Sequence, residues 1–127
     1  MRALIVDDSR TMRRIVGKVV KENGFDVILE AENGQDALVQ LRGCARDAPL
    51  ALVLVDWNMP VMDGLSFVQA ARAEGFADLP IIMITTEGSM EYVTRAMEAG
   101  ANEYLMKPFT KESLRDKLAI LGFEIAT

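Results

Sequence analysis

The segment Leu50 to Val55 is apolar at every position and stops abruptly on Asp56. So short an apolar run, with no alternation, suits a strand whose two faces are both covered, as in a parallel sheet flanked by helices. Ala3 to Val6 repeats the pattern and gives way to Asp7-Asp8; Ile81 to Ile84, opened by Pro80, gives way to Thr85-Thr86. Weaker strands are expected around Val27 to Leu29 and over Glu103 to Met106, the latter ending on Lys107-Pro108.

Amphipathic segments fill the gaps. Met12, Ile15, Val16, Val19 and Val20 recur at helical spacing, and Gly24 separates them from the strand around Val27. Further helices are expected from Gln35 to about Arg42, with Ala37, Leu38 and Leu41 inward, and from Leu65 to Ala73. Others are expected from Met90 to Ala99, stopped by Gly100, and from Ser113 to Leu121. Pro49 follows a loop, and Asn58, Pro60 and Asp63-Gly64 make a polar turn. Five βα units in series imply an α/β fold: a parallel sheet with right-handed crossovers and helices on both faces. Ligands of such sheets bind outside the carboxyl ends of the strands.

A chain of 127 residues fits one domain, residues 1–127, with no room for a second independent module. Its apolar runs fall well short of the roughly 18 residues of a membrane span, and Asp7-Asp8 stand where a signal peptide would need its cleavage site. The reading is therefore cytoplasmic, without membrane insertion. A net charge of −5 lacks the basic footprint of a domain that grips nucleic acid directly. Histidine is absent, which removes a Ser-His-Asp triad, a His-ligated zinc site and an internal phosphohistidine. The single cysteine, Cys44, reads as a bystander near a helix end.

Strand ends Asp7-Asp8, Asp56, Thr85 and Lys107 should meet along one edge. Taken singly, each has an ordinary explanation: a turn or cap for the aspartates and threonine, a solvated side chain for the lysine. Together they make a set. Three crowded carboxylates repel unless a cation intervenes, and an all-oxygen donor set selects a hard ion such as Mg²⁺. Asp56, on the middle strand, is placed to act as a nucleophile toward phosphorus. Lys107 and Thr85 would neutralise and hydrogen-bond phosphoryl oxygens.

These residues resemble the receiver domains of two-component response regulators. The shared motifs are Asp7-Asp8, Asp56-Trp-Asn-Met-Pro-Val-Met-Asp-Gly64, Thr85 and Lys107-Pro108-Phe109, in order over essentially the whole chain. Thr11-Met-Arg-Arg-Ile-Val16 and Asp56-Trp-Asn-Met-Pro60 are similar to the single-domain chemotaxis members. The resemblance implies a flavodoxin-like sheet of order 2-1-3-4-5. It implies that the chain is a signalling phosphoacceptor rather than an enzyme, taking a phosphoryl group onto Asp56 from a histidine kinase or phosphotransfer protein. It implies that Asp8, Asp56 and the Asn58 carbonyl hold Mg²⁺, Asp7 acting through water, and that a cis Lys107-Pro108 bond aims the lysine inward.

The resemblance also makes Thr85 and Tyr104 a switch, Tyr104 turning inward on phosphorylation. The surface it changes is the fourth helix, fifth strand and fifth helix, with a flagellar motor switch as a target. Asn58 and Glu87 stand where hydrolysis is tuned, and Lys117 where a partner is contacted. Thr86 departs from the usual alanine, and Met90 from a frequent lysine. Arg10, Arg13 and Arg14 read as a surface patch able to dock the donor, and the eight methionines mostly as core fillers or as part of the output face.

Rival functions fit less well. An aspartate-nucleophile phosphatase needs an acid two residues after its nucleophile, where Asn58 or Ser9 stands. A nucleotide-binding module needs a glycine motif that follows no strand here. A phosphorylation-independent scaffold would be expected to lose an acidic residue, Thr85 or Lys107. The receiver piece of a larger regulator with a DNA-binding output remains a second alternative.

Overall fold

The computed structural model describes residues 1–44, 49–86 and 88–123. The chain runs β1 (Arg2–Val6), α1 (Arg10–Glu22), β2 (Val27–Ala31), α2 (Gly34–Gly43), β3 (Leu52–Asp56), α3 (Gly64–Ala73), β4 (Ile81–Thr85), α4 (Met90–Ala99), β5 (Glu103–Met106) and α5 (Lys111–Ile120). The strands form one sheet of order β2-β1-β3-β4-β5, and every pairing is parallel.

The all-apolar strands take the middle of the sheet because both of their faces are covered. Leu4, Val6, Val53, Val55, Ile81 and Met83 pack on one side with Leu38, Leu41, Phe67, Val68 and Ala96 of α2, α3 and α4. Their alternating neighbours Ala3, Ile5, Leu52, Leu54, Ile82 and Ile84 pack on the other with Val16, Val20, Leu114 and Leu118 of α1 and α5. The two edge strands carry the weaker patterns, Val27 and Glu30 of β2 and Met106 of β5 being exposed. No helix among the described residues is long and apolar enough to cross a membrane.

Several boundaries differ from the sequence expectation. β3 begins at Leu52, not Leu50, because ladder pairing starts there opposite Ala3; the Ala51 amide reaches only the Arg2 carbonyl, at 2.8 Å. β2 continues to Ala31, which pairs with Val6. Helices α2 and α3 start one residue earlier than expected, behind Asn33 and Asp63, whose side chains accept from the Asp36 and Ser66 amides. α5 starts at Lys111 because Thr110 and Ser113 form a reciprocal capping box.

Arg72, near the end of α3, ties two loops together, the α3–β4 and α4–β5 connections. Its guanidinium donates to the carbonyls of Phe76, Leu79 and Gly100 and to Asn102 Oδ1, which in turn accepts the Ile81 amide at 2.8 Å. Gly100, at φ 116°, ends α4 against the same side chain. Arg72→Met keeps most of the stem and orphans these carbonyls, so a loss of about 2 kcal/mol is expected in urea unfolding, with the site unaltered.

Candidate functional site

Lys107 follows β5 and turns back across the carboxyl edge of the sheet. Its Nζ lies 3.1 Å from Asp7 Oδ2 and 3.3 Å from Asp56 Oδ2. The lysine, Asp7 and Asp56 side chains are only 16%, 5% and 13% exposed, so these contacts are well shielded from solvent. Asp8 is exposed beside them, and one oxygen from each of Asp7, Asp8 and Asp56 falls within a 4.8 Å group that could hold a metal ion. Thr85 is buried at the end of β4, and its carbonyl accepts the Lys107 amide at 2.9 Å. The Lys107-Pro108 peptide is cis, as the resemblance implied.

The caps explain why the site residues are available for other work. Ser9 caps α1, accepting the Met12 amide at 3.2 Å, and its own amide donates to Asp7 Oδ1 at 2.9 Å. Asp7 is thereby fixed through one oxygen to the turn and through the other to Lys107. The N-cap of α4 is Ser89, so Thr85 is not a helix cap.

Burial pushes the Asp56 carboxyl above its ordinary pKa; Lys107 pulls it back down, and the like charges of Asp7 and Asp8 push it up again. For Lys107, burial alone would lower the ammonium pKa. Attraction to Asp56, then the hydrogen bond and attraction to Asp7, outweigh this and raise it. Three carboxylates against one ammonium leave an excess of negative charge in an all-oxygen group. That chemistry fits a hard divalent cation better than a soft one.

The loop after Asp56 is held closely. The Trp57 amide donates to the Ile84 carbonyl at 3.0 Å and the Gly64 amide to the Trp57 carbonyl at 2.9 Å. A methyl at Gly64 would run into the Asp56 carbonyl oxygen, so a glycine is required directly behind Asp56. Within the loop the Met62 amide bonds the Pro60 carbonyl at 2.7 Å across Val61, whose φ of 69° is strained for a β-branched residue. Asn58 stands exposed at its start.

Trp57 is buried. Its ring meets Tyr92 edge-on with centroids 5.1 Å apart, and the Arg95 guanidinium lies over both rings at 5.3 and 5.8 Å. The residue next to Asp56 therefore packs directly on α4. Tyr104 of β5 lies half-buried beneath Lys117 Nζ, 4.3 Å from its ring centroid, and that ammonium pairs with Glu103 at 2.9 Å. Thr86 is exposed, and Glu87 lies outside the described residues.

The methionines divide between the two expected places: Met83 is fully buried in the core, while Met90, Met97 and Met106 are exposed on α4 and β5. One sequence expectation is corrected here. Arg13, grouped by sequence with Arg10 and Arg14 as surface charge, turns inward, pairing with Glu30 at 2.9 Å and donating to the Asp7 carbonyl at 2.7 Å. The Tyr92-Arg95 stack was also missed; its only sequence signal was an aromatic and a cation three residues apart on one helix. A hollow of about 480 Å³ lined by Leu41, Leu50, Phe76 and Leu79 sits at the opposite, amino-terminal side of the sheet, away from the carboxylates.

Comparison with known proteins agrees with this geometry. Residues 3–119 match the profile described as the response regulator receiver domain. Chemotaxis protein CheY1 of Helicobacter pylori is 44% identical over 122 residues, covering 95% of this chain and 96% of that protein. A chemotaxis protein CheY homolog of Campylobacter jejuni is 45% identical over 124 residues, covering 96% and 93%. The solved structure of chemotaxis protein CheY4 from Vibrio cholerae superposes with a TM-score of 0.83 at 35% identity, over 94% of this chain and 97% of that one. With a family match over most of its length, and relatives above 40% identity along nearly all of it, the chain belongs to the response regulator receiver domain family.

Proposed function

We propose that the protein is a single-domain, cytoplasmic response regulator of chemotaxis that accepts a phosphoryl group on Asp56 in a Mg²⁺-dependent reaction and thereby changes a partner-binding surface. The observation that supports this best is the convergence of Asp56, Lys107 and the Asp7-Asp8 pair at one sheet edge. The names of these relatives, both chemotaxis proteins, support the pathway.

In the proposed reaction an Asp56 carboxylate oxygen attacks the phosphorus of a phosphohistidine presented by a histidine kinase or phosphotransfer protein. The P–N bond breaks, its electron pair stays on the imidazole nitrogen, and that nitrogen takes a proton as it leaves. Asp7, Asp8, Asp56 and the Asn58 carbonyl would hold the Mg²⁺, which when bound supplies charge neutralisation between carboxylates and phosphoryl oxygens. Lys107 stabilises another phosphoryl oxygen, and the Thr85 hydroxyl donates to a third. Asn58 and Glu87 tune hydrolysis of the acyl phosphate, as the family resemblance implies.

Thr85 and Tyr104 form the switch, with output through α4, β5 and α5 to a protein target such as a flagellar motor component. The exposed Met90, Met97 and Met106 suit an adaptable apolar contact there, and Lys117 supplies charge beside Tyr104. The test is Trp57 fluorescence, since that ring is the immediate neighbour of Asp56 and touches α4. Mg²⁺ should give a saturable change that beryllofluoride extends. A folded protein responding to neither would instead favour a phosphorylation-independent scaffold.

A further inference from the structure

We infer that Arg13, braced by Glu30, is a positioning residue that sets the direction of the Asp8 carboxylate. The inference rests on the proposed role of Asp8 as a cation ligand. Its physical basis is the point at which β1 runs out of sheet.

Val6 pairs with Ala31, the last residue of β2, and the Asp7 amide still donates to the Ala31 carbonyl at 3.1 Å. Beyond Ala31 the chain turns into Asn33, the cap of α2, so the ladder has no further amide to offer on that side. The donor that reaches the Asp7 carbonyl comes from a side chain instead, Arg13 Nη1 at 2.7 Å. The guanidinium thus takes the place of the next rung. Its Nε is held by Glu30 Oε1 at 2.9 Å, from β2, so one planar group spans the end of β1 and the edge strand beside it. The Arg13 side chain is only 14% exposed, unlike a solvated surface cation.

The two aspartates differ in what fixes them. Asp7 is held at its amide, its carbonyl and both carboxylate oxygens. Asp8 is exposed, and among the described residues no hydrogen bond holds its carboxylate. What remains to orient Asp8 is its backbone. The Asp7-Asp8 peptide is planar, so fixing the Asp7 carbonyl fixes the Asp8 amide and the origin of its Cα–Cβ bond. Release of Arg13 would let that peptide rotate toward water and spread the three oxygens now grouped within 4.8 Å.

The test compares the wild type with Arg13→Met, Arg13→Lys and Glu30→Gln. Mg²⁺ is titrated against Trp57 fluorescence, amide hydrogen exchange at Asp8 and Ser9 is read without metal, and urea unfolding is followed in parallel. Arg13→Met should weaken Mg²⁺ binding about tenfold, the range seen when groups supporting metal ligands are removed. It should also speed Asp8 exchange beyond any change in global stability. Arg13→Lys, which can reach the carbonyl but cannot also span to Glu30, should recover part of the affinity, and Glu30→Gln should lose less than Arg13→Met. Should Arg13→Met fail to fold, Glu30→Gln, at an exposed position, carries the comparison. A wild type that binds Mg²⁺ while the folded variants match it within about twofold, with Asp8 exchange unchanged, would overturn the inference alone. A wild type with no Mg²⁺ response would overturn the metal site and the inference with it.

Discussion

Asp56→Asn is expected to leave the fold intact and to abolish phosphoryl uptake, because an amide cannot serve as the nucleophile that the carboxylate provides. Stability should move in the opposite direction from activity. Burial, reinforced by the charges of Asp7 and Asp8, raises the Asp56 pKa in the folded protein despite Lys107. A raised carboxyl pKa means that folding is favoured where the group is protonated. The contribution is fully present below the unfolded value of 3.8 and is lost as pH rises through the folded value. At neutral pH without metal the wild type therefore carries a penalty that Asp56→Asn removes, and the mutant should unfold at higher temperature. Lowering the pH through the folded pKa should close the gap. Mg²⁺ should also close it, by stabilising the wild type and not the mutant. Thermal unfolding of the pair at neutral and acidic pH, with and without Mg²⁺, checks each sign.

Lys107→Met should cost about 3 kcal/mol at neutral pH without metal, the scale for removing one partner of a shielded ion pair. Its ammonium meets both Asp7 and Asp56, at 3.1 and 3.3 Å, and its loss leaves three carboxylates facing one another. The lysine's folded pKa is raised, Asp56 and Asp7 together overcoming burial. Its stabilisation is accordingly complete below the unfolded value of 10.5 and disappears as pH rises through the folded value. Two further outcomes separate this account from simple loss of packing. Mg²⁺ should restore much of the lost stability, since a divalent ion can replace the missing positive charge. Asp56→Asn in the same chain should recover part of it, so that a double-mutant cycle in urea shows coupling between positions 56 and 107. Phosphoryl uptake should fall sharply as well, even where the fold is restored by Mg²⁺.

What the sequence made legible is the part governed by local periodicity and by polar residues at strand ends. Leu50 to Val55 and Ile81 to Ile84 could only be covered on both faces, and they define the central strands and the edge where Asp56 and Thr85 emerge. Lys107 was harder, since a single lysine after a short strand looks like any solvated side chain; its meaning came from sharing an edge with the carboxylates. Arg13 was not legible. A cation within the basic run Arg10 to Arg14 reads as surface charge, and its inward turn depends on where β2 ends, which local pattern does not encode. For the methionines both core and output face were open readings, and Met90, Met97 and Met106 take the second because α4 and β5 lie at the sheet's edge, where one face of each remains open. The start of β3 was missed by two residues because apolarity continues through Leu50 and Ala51 although ladder pairing begins only at Leu52.

The central proposal is phosphoryl transfer to one aspartate, and it can be read directly by mass. The wild-type protein would be incubated with Mg²⁺ and a small acyl phosphate such as acetyl phosphate, reduced with borohydride to trap any acyl phosphate, digested and mapped. A single modification at Asp56, absent without Mg²⁺ and absent in Asp56→Asn, is the expected result. An unmodified, folded protein under the same conditions, or modification at another residue that persists in Asp56→Asn, would contradict it.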